Sequence, residues 1–217
     1  MSVAPLEAEA PAFGPEDFAA ATGASPAQLA DLHAFRAILE DWSTRMNLVG
    51  PSAKTDFWLR HAYDSAQLLQ TPQGQAKVWA DLGAGAGFPG VVLAIMLTGV
   101  PGAQVHLVES MTKRCRFLGE AVRALGLPAT VHNVRAESLR LTGIEVVTAR
   151  ACAPLPRLLG YAEPLMKAGA RGLFLKGRGV EAEVSEARNS WRFKAEMLPS
   201  RSDPSGVLLA VEGLRRA

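Results

Sequence analysis

The sequence VWADLGAGAGFPG, at residues 78–90, decides how this chain folds. Val78 and Trp79 begin the segment like a buried strand, and Asp81 stands where that strand ends. Glycines follow, and Pro89 is well placed as the first residue of the apolar helix VVLAIML. Glycines adopt positive φ and let the backbone approach a ligand, as after the first strand of doubly wound α/β folds. The segment therefore predicts a strand, a glycine turn and a helix that form a nucleotide-binding loop.

The composition indicates one main hydrophobic core. Of the 217 residues, 48% are hydrophobic, and the net charge of +2 permits an RNA partner without requiring one. Cys115 and Cys152 are the only cysteines and form no CxxC pair, which is typical of a reduced, cytoplasmic protein. The acidic N-terminus is unlike a signal or transit peptide, and the longest apolar run, residues 91–97, is too short to span a bilayer. We therefore expect no association with a membrane.

Strand and helix patterns alternate from Val78 onward, which predicts a mostly parallel sheet. Strands are expected near residues 78–82, 104–109, 130–134, 145–149 and 172–176. Helices are expected at 112–125 behind a Ser110 cap, at 155–168, and from Gly179 to about Trp191. Two final strands, near 195–198 and 207–211, are joined by the short turn SRSDPSG, which favours an antiparallel hairpin.

Two apolar-periodic segments precede the first strand and predict a helical cap on the sheet. The first follows a capping box of Ser25 and Gln28 and continues as an amphipathic helix of about six turns. The second covers residues 57–69. We expect a disordered tail at 1–14 and a single domain at 15–217, divided into a helical cap at 15–72 and a Rossmann-like core at 76–217.

Asp81 separates two interpretations of the glycines. Gly85, Gly87 and Gly90 also match GxGxxG, so an NAD-dependent oxidoreductase stays an alternative. A carboxylate at this strand end repels a pyrophosphate on the helix N-terminus, but it suits a ligand that carries positive charge. S-adenosyl-L-methionine is such a ligand, because it has a sulfonium and an α-amino group and no phosphate. The acid therefore favours this cofactor over a dinucleotide.

Two further acids stand at the ends of the next two predicted strands. Glu109 ends QVHLVE, where a carboxylate can accept both ribose hydroxyls of a nucleoside. Ala136 and Glu137 follow the third strand, within reach of an adenine amino group. Acids at three successive strand ends predict a nucleoside site at one edge of the sheet.

Several segments then resemble a single family. They are Asn47 with Leu48, LRHAYDS (59–65), DLGAGAGFPG (81–90), VESMTKRCRFL (108–118), Ala136 with Glu137, and ARA (149–151). Together they resemble the ribosomal RNA small-subunit methyltransferase G family over most of the chain after about residue 25. The resemblance implies a class I S-adenosylmethionine-dependent methyltransferase fold. It also implies methyl transfer to N7 of a guanine in 16S rRNA, with S-adenosyl-L-homocysteine as product, whereas a methyltransferase of another substrate stays an alternative.

The resemblance also implies which residues contact the cofactor. Carried over motif by motif, the contacts fall on Gly83, Phe88, Ala136, Glu137 and Arg150. The reasoning from strand ends and glycines adds Asp81, Gly85 and Glu109.

Other chemistries fit the sequence less well. Residues 150–154 lack the Asn or Asp, Pro, Pro, aromatic pattern of amino-group methyltransferases, and Cys152 lacks the preceding proline of cytosine-C5 methyltransferases. His61, Asp64 and Ser65 share one helical face, but consecutive helix positions provide no exposed nucleophile or oxyanion hole. The remaining histidines are scattered in the sequence, so we expect no metal site.

Basic residues supply candidates for contacts with RNA. Lys176 and Arg178 follow the fifth strand, and Lys113 and Arg114 begin a helix. Guanine N7 carries a lone pair and no proton, so the reaction needs positioning and no general base. The candidates for positioning are Arg150, Lys176 and His61. The expected partner is small-subunit ribosomal RNA or the 30S particle, with the protein acting as a monomer.

Overall fold

The computed structural model describes residues 13–46, 48 and 56–217. Most of the predicted disordered tail, and the Asn47 of the family motif, lie outside these residues. The α-helices are α1 (Pro15–Thr22), α2 (Pro26–Arg45), α3 (Gly90–Met96), α4 (Thr112–Ala124), α5 (Leu155–Lys167) and α6 (Val180–Ala187). The strands are β1 (Val78–Leu82), β2 (Gln104–Glu109), β3 (Ala129–Asn133), β4 (Val146–Arg150), β5 (Arg171–Lys176), β6 (Trp191–Pro199) and β7 (Val207–Arg216).

The strands form one seven-stranded sheet in the order β3-β2-β1-β4-β5-β7-β6. Strands β1 to β5 are parallel, and β7 lies antiparallel between β5 and β6. The prediction of a mostly parallel sheet with a C-terminal antiparallel hairpin is confirmed. The chain leaves β1 for β2 on one side and reaches β4 on the other, which creates the switch point where such sheets bind ligands.

Apolar layers cover the two faces of the sheet. Helices α2, α3 and α4 supply one layer, in which Phe35 packs against Phe117 and Leu107 of β2 belongs to the same core. Helices α5 and α6 supply the other, with Leu158 and Phe174 in its core. Strand β1 is buried from Trp79 to Leu82, and the Asp81 carboxyl group lies on the α3 side of the sheet, where it bonds to Gly90 N.

The cap before β1 begins as the sequence predicts. Ser25 Oγ accepts from Gln28 N at 3.2 Å, and Ser25 N donates to Gln28 Oε1 at 2.8 Å, so the predicted capping box is confirmed. Helix α2 runs for 20 residues and buries Leu32, Phe35 and Leu39. Within the described residues, no helix is long and apolar enough to cross a membrane.

The second cap segment is not the regular helix that its periodicity predicts. It consists of a π-helical stretch at Phe57–Tyr63, one α-turn at Asp64–Ala66 and a 3₁₀ turn at Gln67–Gln70, which we call the broken helix. Asp64 and Gln67 bond to residues about 130 positions later in the chain. These tertiary contacts favour the broken geometry over the regular α-helix that the apolar spacing predicts.

Three smaller predictions are wrong for local reasons. Pro89 is the cap before α3 and not its first residue. The first residue is Gly90, whose N–H donates to Asp81 Oδ2 at 2.9 Å, a bond that a proline at this position could not make. Ser110 does not cap α4, since Met111 occupies the cap position. Helix α6 ends at Ala187, and Trp191 starts β6, where its indole donates to Pro156 O at 3.0 Å.

Candidate functional site

The glycine loop, residues 83–90, is held against β2 by backbone bonds. Gly83 N and Ala84 N both donate to Val108 O, at 2.8 and 3.0 Å. Gly83 has φ +72°, and a Cβ there would lie 2.8 Å from Cys152 Sγ. A Cβ on Gly85 would meet nothing closer than Gly83 O at 3.5 Å. The loop is thus closely packed at Gly83 and open above Gly85, where a ligand can approach the backbone.

Asp81 lies beneath this loop and has no exposed surface. Its Oδ2 accepts the bond from Gly90 N, and Oδ1 has no hydrogen-bond partner among the described residues. Burial raises the pKa of Asp81 to about 7, against the lowering effects of the Gly90 N–H and of Arg150. The predicted direct contact of Asp81 with a ligand is not what this enclosed position provides. An unpaired buried carboxylate instead favours positive charge in the space above the loop.

Glu109 joins the glycine loop to the start of α4. Its Oε2 accepts from Gly85 N at 3.1 Å, and its Oε1 accepts from Met111 N at 2.7 Å. Each carboxylate oxygen keeps a second acceptor site, as two ribose hydroxyls require. Arg114 Nη1 lies 3.7 Å from Glu109 Oε2, so this arginine pairs with the site acid, and its predicted contact with RNA stays a prediction. Lys113 beside it is exposed.

Ala136 and Glu137 begin the 3₁₀ turn Ala136–Ser138, just after β3. Ala136 is half-buried and Glu137 is exposed. Since β2 and β3 are parallel neighbours, with Glu109 paired to Asn133, this turn and Glu109 lie at the same edge of the sheet. The predicted arrangement of acids at successive strand ends is present.

Arg150 ends β4 and connects it to the broken helix. Its Nη1 donates to Arg60 O at 2.9 Å and to Asp64 Oδ2 at 3.3 Å, and its Nη2 bonds to His61 Nδ1 at 2.8 Å. The guanidinium lies 5.0 Å from the centroid of Phe88, and the His61 ring stacks on the same ring at 4.7 Å. His61 and Arg150 therefore cover the Phe88 ring, which is 4% exposed.

His61 is held in its neutral form. Burial and the neighbouring Arg150 and Arg60 lower the pKa of His61 to about 4. Because Nδ1 accepts from Arg150, the ring proton lies on Nε2. Ser65 is fully buried and donates its Oγ proton to the His61 carbonyl at 2.7 Å, so these residues do not form a catalytic triad.

The two cysteines are protonated thiols at neutral pH. Burial, reinforced by the charges of Asp81 and Glu109, raises the pKa of Cys152, whose Sγ packs against Gly83. Burial also raises the pKa of Cys115, which donates to Glu109 O at 3.2 Å. A raised pKa makes Cys152 a poor nucleophile, in line with the sequence interpretation.

A cavity of about 1160 Å³ is lined in part by Cys152, which packs against Gly83 of the glycine loop. The broken helix, the ends of β4 and β5, and the turn between β6 and β7 form its walls. Lys176 lies in the wall, where its Nζ donates to Glu183 Oε2 at 2.7 Å and to Ala153 O at 3.1 Å. Lys176 is therefore paired with Glu183, and its predicted contact with a phosphate or a base edge stays a prediction. Arg178 is exposed and lines a separate cavity of about 380 Å³.

Sequence reasoning missed Glu183 and the acid Asp203. Glu183 belongs to a helix with acids at two positions of its first turn, Glu181 and Glu183, and the pattern alone does not say which one faces inward. Asp203 lies in the SRSDPSG turn and pairs with Arg60 at 2.9 Å across the cavity wall. The acids of this turn and helix are visible in the sequence, but periodicity alone does not show that they face the cavity.

The histidines are less scattered than the sequence suggested. His106 Nδ1 and His132 Nε2 lie 2.9 Å apart on β2 and β3. In the parallel register His106 pairs with Thr130, so His132, two residues further along β3, is its diagonal neighbour on the same face of the sheet. In the part of the chain that the structure describes, no group of three or more histidine, cysteine or acidic side chains is placed to hold a metal ion.

The sequence of this chain is similar to those of known proteins. Residues 28–203 match the family model described as rRNA small subunit methyltransferase G. The chain is 55% identical over 199 residues to the ribosomal RNA small subunit methyltransferase G of Caulobacter vibrioides, covering 92% of this chain and 91% of that protein. It is 46% identical over 203 residues to the protein of the same name from Rhodospirillum rubrum, covering 94% and 99%.

Solved structures share the fold at low sequence identity. A mutant of MtNAS in complex with S-adenosylmethionine aligns with a TM-score of 0.55 at 16% identity, over 91% of this chain and 83% of that one. Magnesium protoporphyrin IX methyltransferase from Synechocystis, with bound SAM, aligns with a TM-score of 0.50 at 16% identity, over 88% and 99%. The predicted class I methyltransferase fold is thus confirmed. With the family model covering residues 28–203, this chain belongs to the ribosomal RNA small subunit methyltransferase G family.

Proposed function

We propose that this protein transfers a methyl group from S-adenosyl-L-methionine to N7 of a guanine in 16S rRNA of the small ribosomal subunit. Membership of the family supports a ribosomal RNA methyltransferase. The observation that carries the N7 assignment is that neither the histidine nor the cysteine of the cavity is in a state to take a proton from a substrate. His61 has a pKa lowered to about 4, Cys152 has a raised pKa, and Asp81 is enclosed. Guanine N7 carries no proton, so its methylation needs none of them to act as a base.

The glycine loop and the acids around it fit S-adenosyl-L-methionine. The open backbone above Gly85 would admit the nucleoside, Glu109 would accept from the ribose hydroxyls, and the Ala136–Ser138 turn would hold the adenine. The unpaired Asp81 Oδ1 suits a ligand with positive charge. When bound, the cofactor supplies a methyl group on a sulfonium, which is electrophilic. The cofactor contacts predicted at Gly83, Phe88 and Arg150 remain part of this proposal.

The chain itself contributes orientation. Arg150 is fixed by three hydrogen bonds and by the Phe88 ring, and so holds the wall between the glycine loop and the cavity. Holding two reactants in line for reaction can lower a barrier by roughly 7 to 11 kcal/mol. His61 Nε2–H and the spare N–H of Lys176 are donors available to fix a base.

The target nucleotide must leave any paired helix to enter this cavity. The major groove of A-form RNA is too deep and narrow for side chains to reach N7. An extruded or unpaired guanosine is therefore the expected form of the substrate. The exposed Lys113 and Arg178 are candidates for contacts with the RNA backbone. We further propose that residues 15–217 act as one domain, as a cytoplasmic monomer, on the rRNA or the 30S particle.

The test is to incubate the protein with labelled S-adenosyl-L-methionine and either naked 16S rRNA or 30S subunits, and to map the label. We expect 7-methylguanosine at a single position. Label on a cytosine or on an exocyclic amine would contradict the N7 assignment, and label in no RNA would contradict the RNA substrate. Titration with S-adenosyl-L-homocysteine and with NADH separates the methyltransferase from the oxidoreductase alternative, because we expect only the former to bind.

A further inference from the structure

We propose that Lys176 and Glu183 recognise the Watson–Crick edge of the target guanine. In this assignment the Lys176 ammonium donates to O6, and the Glu183 carboxylate accepts from N1–H and the 2-amino group. The inference rests on the proposed function, because it assumes that the cavity receives a guanine.

The two side chains lie where such recognition requires. Lys176 ends β5 and Glu183 stands in the first turn of α6, and both line the cavity that Arg150 and His61 also line. Their charged atoms are 2.7 Å apart, and the Lys176 side chain is 9% exposed. A donor and an acceptor held side by side match the adjacent acceptor and donors on guanine.

Both groups keep bonding capacity for a ligand. Lys176 Nζ has three N–H donors, of which Glu183 Oε2 and Ala153 O use two. Glu183 Oε2 accepts from Leu155 N at 2.6 Å and from Lys176, and none of the hydrogen bonds within the described residues uses Glu183 Oε1. One donor and one carboxylate oxygen therefore remain for the base.

The pair discriminates against adenine. Adenine presents an amino group where guanine has O6, and a lone pair where guanine has N1–H. Adenine would therefore place a donor against the ammonium and a lone pair against the carboxylate. Sites built on hydrogen bonds reject ligands that leave their polar groups unpaired, more strongly than apolar pockets reject a shape. Holding the Watson–Crick edge also leaves N7, on the opposite side of O6, free to face the methyl group.

Glu183 has a structural role that the experiment must separate from recognition. Its bond to Leu155 N satisfies an amide in the first turn of α5, which is an ordinary capping contact. Glu183→Gln keeps an oxygen that can accept this bond while it removes the negative charge. Glu181→Gln is the matched control, because Glu181 is exposed in the same turn of α6.

The experiment compares 16S rRNA that carries guanosine at the mapped target position with the same rRNA carrying inosine, which lacks the 2-amino group. For the wild type, we expect kcat/KM to fall about tenfold or more with inosine. For Glu183→Gln, we expect a higher KM with guanosine and a guanosine-to-inosine ratio within about twofold of one. The ratio for Glu181→Gln should equal that of the wild type.

The outcomes are distinguishable. A wild type that methylates guanosine and inosine equally well, or a Glu183→Gln variant that keeps the wild-type ratio, overturns the assignment while the proposed function stands. A wild type that methylates no guanosine N7 overturns the proposed function itself. If Glu183→Gln does not fold by circular dichroism, Lys176→Gln provides a second test with 6-thioguanosine, whose sulfur accepts weakly. The wild type should then discriminate against 6-thioguanosine and the variant should not, and equal discrimination overturns the assignment.

Discussion

The glycine loop and the cavity beside it are held by different kinds of contact. In the loop, backbone amides make the bonds, from Gly83 and Ala84 to β2 and from Gly85 to Glu109. Around the cavity, side chains make them: Arg150 joins β4 to the broken helix, and Gln67 joins that helix to the turn between β6 and β7. Backbone bonds fix a local shape, whereas side-chain bonds fix the distance between remote segments. Substitutions should therefore disturb the two regions in different ways.

Removal of Arg150 should have the largest effect, because it breaks the side-chain region at its centre. Arg150→Ala deletes the bonds to Arg60 O, Asp64 and His61. We expect methyl transfer to fall about hundredfold or more, since a misplacement of about 1 Å can cost that much. Steady-state kinetics with labelled cofactor measures the rate of methyl transfer. Arg150→Lys keeps the charge but lacks the planar fork, so it should recover only about a tenth of the wild-type rate at best. A wild-type rate in Arg150→Ala would contradict the positioning role.

A methyl group on Gly83 tests the backbone region. Gly83→Ala combines φ +72° with a Cβ 2.8 Å from Cys152 Sγ, whereas Gly99→Ala has φ +83° and nothing within 4 Å. The left-handed backbone should cost each variant roughly 1–2 kcal/mol, and the contact should cost Gly83→Ala roughly 1–3 kcal/mol more. Urea unfolding and calorimetric titration with S-adenosyl-L-homocysteine measure stability and binding. We expect weaker binding only in Gly83→Ala, and equal behaviour of the two variants would contradict close packing of the loop.

The charge beneath the loop should make cofactor binding depend on pH. The pKa of Asp81 is raised from 3.8 to about 7, so the carboxyl is mostly neutral below pH 7. A positively charged ligand favours the ionised form, and its affinity should therefore rise as pH increases through 7, by up to about tenfold per pH unit below the pKa. Calorimetric titrations with S-adenosyl-L-methionine from pH 6 to 8 measure this affinity. Asp81→Asn should flatten the profile, and a wild-type slope in this variant would assign the effect to another group.

The smallest expected effect is that of His61 on the pH dependence of the free energy of unfolding. The pKa of His61 is about 4 in the folded protein against 6.5 for an unperturbed histidine. As pH falls below 6.5, the unfolded chain takes up the proton first, so His61 lowers the stability of the fold progressively down to about pH 4. His61→Phe keeps a ring that can stack on Phe88 and removes the titration. The difference in unfolding free energy between variant and wild type should change between these pH values, and a constant difference would contradict a neutral His61.

The sequence predicts the backbone region better than the side-chain region. Strand β1, the turn at Gly83 and helix α2 depend on signals within a few residues: apolar runs, glycines at fixed spacing and a capping box. The parallel direction of strands β1 to β5 is predicted by the alternation of strands and helices. Such elements can be predicted because residues close together in the sequence determine their geometry.

The cavity could not be predicted in the same way. The pairing of Lys176 with Glu183 depends on which face of a short helix turns inward, and the π-helical stretch at Phe57–Tyr63 depends on partners in a distant turn. The close pair of His106 and His132 follows from strand register, which spacing in sequence does not show. Charged residues near a strand end predict a polar site, but only the folded chain shows which charges neutralise each other.

The bond from Gln67 to Ser200 has a consequence for the order in which the protein is made. It connects residues 133 positions apart, and Asp64 reaches Ser202 across 138. During synthesis, the strands β1 to β5 and the glycine loop emerge well before this turn. The residues that close the cavity are therefore among the last to be synthesised, and the cavity is complete only when the β6–β7 turn docks on the broken helix.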